Sequence, residues 1–557
     1  MTSLGCASLR ASSTLATSLR TAFARSSHSR YVELVKRVLV VGGGHNGLVC
    51  AAYLARAGLA VTVLERRPIF GGACVTEELW PGYRVSRAAY VLSLFRPRIA
   101  EELELARHGL RLLPRTPSSI TPLPDGRALV LGQDPREDFA EIERFSRRDA
   151  ERYRRYEGWL EGIAAAVEPL LDDAPPHPWA LDPANRARLC RLLASGVELA
   201  RGPGLAAAAR VLFGSARAVL EDWFESEPLR ATLATDAIIG AFAPPSARGT
   251  GYVLFHHVMG TAGGQRGVWA YVAGGMGALA DALAAAARAA GAELRAEAPV
   301  AELRLRDGRA VGVTLASGET LDADLVVSSA DPARTATWVP DAALRRRFPA
   351  PDFASPVVKL NLALGALPRF ASRGGEPLPL TGTIHVGPTD LDGIEQAYAD
   401  AAAGRVSELP VVELTIPSVV DPTLAPTGKH VASIFAQYAP VLPADDPRWP
   451  ELRERAKQNA LRAVESVAPG FTASIEQLEL LAAPDLERVF ALTGGNIFHG
   501  AMRPERLLAR RPSGWLRPYR TPLPGLWLCG SGTHPGGGVM GAPGRNAALE
   551  ILAGVRR

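Results

Sequence analysis

Four branched aliphatic residues, Val38 to Val41, run without a break into Gly42-x-Gly44-x-x-Gly47, and Ala51, Ala52, Leu54 and Ala55 then carry a helical spacing that stops at Gly58. A short, unbroken apolar run bounded by glycine reads as a strand buried on both faces. The order is therefore strand, glycine turn, helix. Leu59 to Leu64 supplies a second strand, and Glu65 at its C-terminal end stands eighteen residues beyond Gly47. A carboxylate in that place can accept a hydrogen bond from a ribose hydroxyl.

Each glycine answers a physical demand. Gly42 permits the tight turn, Gly44 lets the backbone approach a pyrophosphate, and Gly47 lets the helix lie close on the strand. The helix N-terminus adds free N–H groups and a positive dipole end. Val41, His45 and Asn46 share the turn and join the glycines as candidate cofactor contacts. Past Glu65, Arg66 and Arg67 lead through Pro68 to Gly71-Gly72, a second glycine pair that suits a loop laid across an extended cofactor. The arginine pair would suit NADP, but Glu65 would repel a 2′-phosphate. FAD is the expected dinucleotide.

At 557 residues the chain exceeds one ordinary domain, so two intertwined domains are expected. Hydrophobic residues make up 47% and charged residues 21%, a globular balance, and no run of eighteen apolar residues marks a membrane span. The formal charge of +5 points to nucleic acid only until its location is considered. The first thirty residues hold four arginines and no acid, which leaves 58 basic against 57 acidic side chains elsewhere. A near-neutral body removes the electrostatic case for a nucleic-acid partner. Those thirty residues are rich in Ser and Thr, and on a helical projection Leu4, Leu15, Leu19 and Phe23 gather opposite Arg10, Arg20 and Arg25. Residues 1–30 are therefore read as a mitochondrial transit peptide. Cys6, Cys50, Cys74, Cys190 and Cys529 form no C-x-x-C pair and no metal-ligand spacing, so neither a dithiol relay nor a metal is expected, and Cys74 reads as a small buried side chain.

Further along, Leu123-Pro-Asp-Gly-Arg127 reads as a hairpin turn, and from Glu137 to about Asp236 apolar residues recur at three and four, an inserted helical region. His256 and His257 stand near Trp269 and Tyr271. Read as part of a strand, the two histidines would point to opposite faces, so at most one would face a given site. Gly275-x-Gly277-x-x-Ala280 opens an Ala-rich helix and mimics a second dinucleotide fingerprint, but an antiparallel meander from Val300 to Val327 follows it, which argues against a separate NAD(P) site. Residues 340 to 490 add strands, including 356–362 and 430–435, and one charged helix at 452–467. Near the end, a strand at Leu526 runs through Gly530-Ser531-Gly532 and Gly541 into an Ala-rich helix, so a second set of backbone N–H groups gathers at a helix start.

Taken together, Gly42-x-Gly44-x-x-Gly47, Glu65-Arg66-Arg67, Gly71-Gly72, Gly275-Met-Gly-Ala-Leu, Ser328-Ser-Ala-Asp-Pro332 and the Gly530 to Ala548 tail resemble the phytoene-desaturase-like branch of the FAD-dependent amine oxidase and desaturase proteins. A finer likeness to a mitochondrial member of that branch runs through Trp223-Phe-Glu-Ser-Glu-Pro-Leu, His256-His-Val-Met-Gly, Gly495-Asn-Ile-Phe-His and His534-Pro-Gly-Gly-Gly-Val-Met-Gly. The resemblance implies an α/β fold: a Rossmann-like, amine-oxidase-type FAD-binding domain interleaved with an α+β substrate domain. The first is assigned to 36–80, 265–335 and 490–557, and the second, with its helical insertion, to 81–264 and 336–489. It also implies that FAD is held by Gly42, Gly44, Gly47, Glu65, Arg66 and Gly72, with Gly71 beside them, by the backbone at Val300, and by Gly530, Ser531 and Gly541 near the flavin.

The expected activity is hydride transfer to flavin from a C–H or C–N bond of an unidentified small molecule, in the mitochondrial matrix. Two alternatives stay open: a flavin-bound regulatory scaffold acting through a mitochondrial protein partner, and a carotenoid or retinoid desaturase. Peripheral membrane contact by the helical insertion also stays open. Because a flavin carries the hard chemistry itself, no catalytic residue is assigned. His256, His257, Trp269, Tyr271 and His534 are the polar or aromatic candidates near the cofactor loops.

Overall fold

The computed structural model describes residues 37–132, 134–262, 265–370, 377–514 and 516–555. The transit peptide assigned to residues 1–30 lies outside them. The first apolar run becomes Arg37–Val41, the central strand of a five-stranded parallel sheet. Ala60–Leu64 and then Glu293–Arg295 lie on one side of it, Leu325–Ser328 and then Leu526–Leu528 on the other. Both faces are covered, as a parallel sheet requires. Successive strand residues point to opposite faces: Val38 and Val40 pack under the helices, while Leu39 and Val41 pack under an antiparallel meander.

On the helical face, His45–Arg56 packs against both Gly277–Ala289 and Ala542–Val555. Small side chains make this close approach possible, and Ala51, Ala52, Ala280, Ala284, Ala547 and Ala548 share one buried cluster. On the opposite face, Val300–Arg306, Arg309–Leu315 and Thr320–Asp322 form the meander. Its Leu303, Val313 and Leu315 complete the cluster below Leu39 and Val41.

A second sheet has seven strands in the order Ile475–Leu481, Val358–Leu364, His430–Gln437, Val411–Thr415, Thr383–Val386, Ser119–Pro122 and Ala128–Leu131. The last two are joined by the hairpin turn expected at 123–127. Neighbours run antiparallel except Thr383–Val386 with Ser119–Pro122. One side of the sheet carries Leu360, Leu362 and Ile434 into a core closed by the helix Trp449–Val467. The other side turns toward the cavity described below. The helical insertion runs from Pro135–Glu143 to Thr250–Val258 and packs against the edge strand Ala128–Leu131 and the helix Leu391–Ala402.

His256 and His257 sit in the helix Thr250–Val258, not in a strand. A short run such as Val253-Leu-Phe-His-His-Val cannot be assigned by periodicity alone; packing against the helix Glu227–Ile238 decides it. The Gly275–Ala280 fingerprint is closed by protein: Met276 N–H donates to Ser86 Oγ at 3.0 Å and Gly277 N–H to Thr76 Oγ1 at 2.8 Å. Hydroxyls thus fill the place a phosphate would take.

Burial also sets a pH response. It lowers His257 and His534 to about 4, lowers His45, His256 and His385 to about 3, and lowers His499 as well. Below their ordinary pKa near 6.5 the unfolded chain binds protons that the folded one refuses, so folding stability falls as pH drops. Asp236, Glu413 and Glu157, raised to about 7 by burial, work in the opposite sense between pH of about 7 and their unfolded values. Burial lowers His430 and raises Asp281 as well, and seven histidines against four acids give a net loss. The Tm measured by scanning fluorimetry is expected to fall between pH of about 6.5 and about 4.5, and a flat or rising Tm over that window would contradict this balance.

Candidate active site

A cavity of about 540 Å³ opens at the C-terminal ends of the parallel strands, where Val41, Leu64 and Glu65 meet the start of the helix His45–Arg56. Ligands of open α/β sheets bind in this crevice. The turn is fixed by its own hydrogen bonds. Gly42 N–H donates to Leu64 O at 2.8 Å, Ser329 Oγ donates to Gly42 O at 2.8 Å, and Gly71 N–H donates to Gly43 O at 2.8 Å. Glu65 joins in: Oε2 accepts from Gly43 N–H at 2.8 Å and Oε1 from Arg67 N–H at 3.0 Å. Each carboxylate oxygen keeps a further lone pair for a ligand hydroxyl.

The three glycines are not equivalent. Gly42 has φ +98°, and a Cβ on Gly47 would lie 2.2 Å from Gly42 O, so the fold itself demands both. Gly44 has ordinary backbone, φ −69°, and a Cβ there would find nothing closer than Gly72 Cα at 3.8 Å. Its missing side chain leaves bare backbone facing the cavity. Beside it, His45 Nε2 and Asn46 Oδ1 are buried without a hydrogen-bond partner among the described residues, as is His499 Nδ1 across the cavity. Buried polar atoms are ordinarily paired. A glycine cradle at a helix start, a carboxylate with lone pairs to spare and unpaired polar atoms fit a dinucleotide carrying phosphates and hydroxyls.

Of the residues singled out from sequence, Val41, Gly42, Gly44, His45, Asn46, Glu65, Arg66, Gly72, Val300 and Ser531 line this one cavity. Arg66 crosses to the end of the helix Ala483–Phe490, donating to Arg488 O at 3.1 Å and to Val489 O. Gly47, Gly71, Gly530 and Gly541 do not line it. Added Cβ atoms would strike Cys74 O at Gly71 and Ser329 O at Gly530, and would face Phe95 and Ile99 at Gly541, so these glycines serve close packing. Substituting Glu65 by Ala removes the acceptor for two backbone N–H groups and for any ribose hydroxyl. A loss of about tenfold or more in FAD affinity is expected by calorimetric titration of the apoprotein, and unchanged affinity would contradict the role given to Glu65.

Of the five polar or aromatic candidates, His257 and Trp269 line the cavity, their rings stacked 5.5 Å apart. The others anchor structure: His256 Nε2 lies 3.1 Å from Gly537 O, His534 Nε2 lies 2.9 Å from Leu170 O, and Tyr271 lies under Arg115. Cys74 is buried against His45 Nδ1 at 3.6 Å, and burial pushes its thiol up to about 12, far from a reactive thiolate.

Sequence reasoning missed Lys359. One rung of the seven-stranded sheet sets Lys359, Phe435, Glu413 and His385 side by side on the face toward the cavity, which Lys359 and Phe435 line. Lys359 is 2% exposed, donates to Ser433 Oγ and stands 4.4 Å from the centre of the Tyr90 ring. Burial lowers its ammonium to about 7. Tyr90 in turn donates to Glu413 Oε2 at 2.7 Å. A lone lysine inside the apolar run Val357-Val-Lys-Leu was the available signal, since lysine is almost never fully buried without a reason.

Comparison with known proteins agrees with this geometry. Residues 47–364 match the family model described as flavin containing amine oxidoreductase. A rat protein named pyridine nucleotide-disulfide oxidoreductase domain-containing protein 2 is 45% identical, covering 92% of this chain and 93% of its own. Hydroxyneurosporene desaturase from Cereibacter sphaeroides is 30% identical, covering 94% and 98%. Wild-type putrescine oxidase bound to putrescine shares the fold at a TM-score of 0.54, with 14% identity over 93% of this chain and 98% of that one. The cofactor is FAD. Matched by that model over more than half its length, the chain belongs to the flavin-containing amine oxidoreductase family.

Proposed function

We propose that the protein oxidises a C–H bond of a hydrophobic small molecule in the mitochondrial matrix, with FAD in the glycine cradle and Lys359 on the wall that the seven-stranded sheet gives the same cavity. The observation that carries this reading is the buried lysine, held near neutrality and facing the space that the dinucleotide residues share. Backbone at Gly42, Gly44 and Gly72 would hold the pyrophosphate, Glu65 a ribose, Val300 the adenosine side and Ser531 the flavin side. Bound FAD supplies a two-electron acceptor for hydride. Lys359, largely neutral above pH of about 7, accepts a proton that the substrate releases, and the Tyr90 ring and Ser433 stabilise the resulting ammonium. Ile239, Trp269, Val357 and Phe435 make the surrounding wall apolar and exclude water.

The segments 36–80, 265–335 and 490–557 would form the cofactor half, supported by their holding every strand of the parallel sheet. The segments 81–264 and 336–489 would form the substrate half. The presequence pattern of residues 1–30 supports the compartment. The test is anaerobic mixing of the holoprotein with primary amines, secondary amines and unsaturated hydrocarbons. Bleaching of the flavin band by one class, with its oxidised product recovered, is expected. A flavin that no class bleaches would overturn the reading.

A further inference from the structure

His257 lines the active-site cavity with one ring nitrogen already committed. Its Nδ1 lies 2.8 Å from Asp236 O and 2.9 Å from Val253 O. A carbonyl oxygen can only accept, so Nδ1 carries a hydrogen and donates to both. Burial lowers the ring to about 4, so at neutral pH it holds that one proton and no other. The tautomer is thereby fixed, and Nε2 is left as a bare lone pair.

That lone pair meets open space. Nδ1 of the neighbouring His256 is enclosed by protein without a partner, whereas Nε2 of His257 is not enclosed, and the cavity is the space that this residue, only 3% exposed, lines. Among the described residues no donor reaches it. The ring is also held in place. Trp269 stacks on it with centroids 5.5 Å apart, and the His256 ring meets it edge-on at 5.6 Å. Trp269 packs in turn with Ile239, Tyr90 and Phe435, in the apolar cluster whose Tyr90 ring faces Lys359.

The wall around His257 thus presents an acceptor among apolar side chains, with no counter-charge for a cation. The carboxylates that line the cavity, among the described residues, are Glu65 and Glu487. Glu65 is engaged by the N–H groups of Gly43 and Arg67, and Glu487 by Arg334 and the Gly494 N–H. Lys359, when protonated, would repel a second cation. An ammonium group is therefore disfavoured, and an ether or ketone oxygen would set lone pair against lone pair. An uncharged hydroxyl fits.

We propose that His257 selects the substrate: its Nε2 accepts a hydrogen bond from an uncharged hydroxyl group on an otherwise hydrophobic molecule. This rests on the reading of the cavity as the site of oxidation. A site built to accept from a hydroxyl discriminates against the analogue that lacks one, because the buried acceptor is then left unpaired.

The test uses the FAD-loaded protein with isotope-labelled histidine, and benzyl alcohol beside benzyl methyl ether as probes. Nitrogen NMR is expected to show the His257 hydrogen on Nδ1, with an unprotonated Nε2 signal that moves upfield when the alcohol is added and stays put with the ether. By calorimetric titration the alcohol is expected to bind about tenfold more tightly than the ether. His257→Phe keeps the stack on Trp269 and removes the acceptor, so the Nε2 signal vanishes, which assigns it, and the preference for the alcohol disappears. Retained flavin content shows that the variant folds; the wild-type spectra and titrations decide the matter without it. A hydrogen on Nε2, equal binding of alcohol and ether by the wild type, or a preference that survives in His257→Phe overturns the proposal. A preference for the alcohol in a protein whose flavin no substrate class bleaches would uphold the role of His257 while refuting the oxidation reading. A flavin bleached by substrate in a protein that binds alcohol and ether equally would do the reverse.

Discussion

Replacing Gly44 by Val is expected to lower FAD affinity by about 100-fold or more, roughly 2.7 kcal/mol, while leaving the fold intact. The three glycines differ in what an added side chain would meet. At Gly42 the left-handed backbone, and at Gly47 a backbone oxygen 2.2 Å from the added Cβ, would make a side chain damage the fold before any ligand arrived. At Gly44 the backbone is ordinary and the nearest atom is 3.8 Å away. A Cβ there makes no more than ordinary van der Waals contact with the protein, so the side chain would intrude chiefly on a ligand in the cavity. Far-ultraviolet circular dichroism and Tm should match those of the wild-type apoprotein, and the flavin band should be missing. A Gly44→Val protein that kept its flavin would show that the cofactor lies elsewhere.

The second large effect is expected at Lys359. Its replacement by Met keeps the length and apolar packing of the stem and removes the base. The rate of anaerobic flavin reduction should fall by about 10² to 10⁴, the range a positioned general base contributes. The pH profile is a sharper readout. Because burial lowers the folded pKa of Lys359 to about 7, the neutral form gains population as pH rises through that value, so the wild-type rate should climb to a plateau above it. The Met variant should lose that step while retaining FAD. A step that survives in the variant would assign the titration to Glu413 or Asp236, the buried acids raised to about 7 nearby.

The parallel half of the fold was legible because its signals are local. The run at Val38, the turn glycines and the acid at Glu65 are contiguous, and each has one mechanical reason to be where it is. The helical insertion was legible from its 3.6-residue period. What escaped was set by long-range pairing. Lys359, Phe435 and Glu413 become neighbours only through the registers of three strands, and no spacing in the chain reports that rung. The helix at His256 and His257 was misassigned for the same reason, since its packing partner, not its own pattern, fixed its state. Gly530 and Gly541 illustrate a third limit. A glycine needed for close packing and one needed for a ligand look alike in sequence, and only the atoms around a hypothetical Cβ separate them.

Whether this chain works as a flavoprotein is decided by the visible absorption spectrum of the purified protein, taken before and after anaerobic addition of an oxidisable substrate. One flavin per chain is expected, with a band that bleaches on addition of a hydrophobic substrate and returns on exposure to an electron acceptor. A correctly folded protein that binds no flavin, even after incubation with excess FAD, would contradict it.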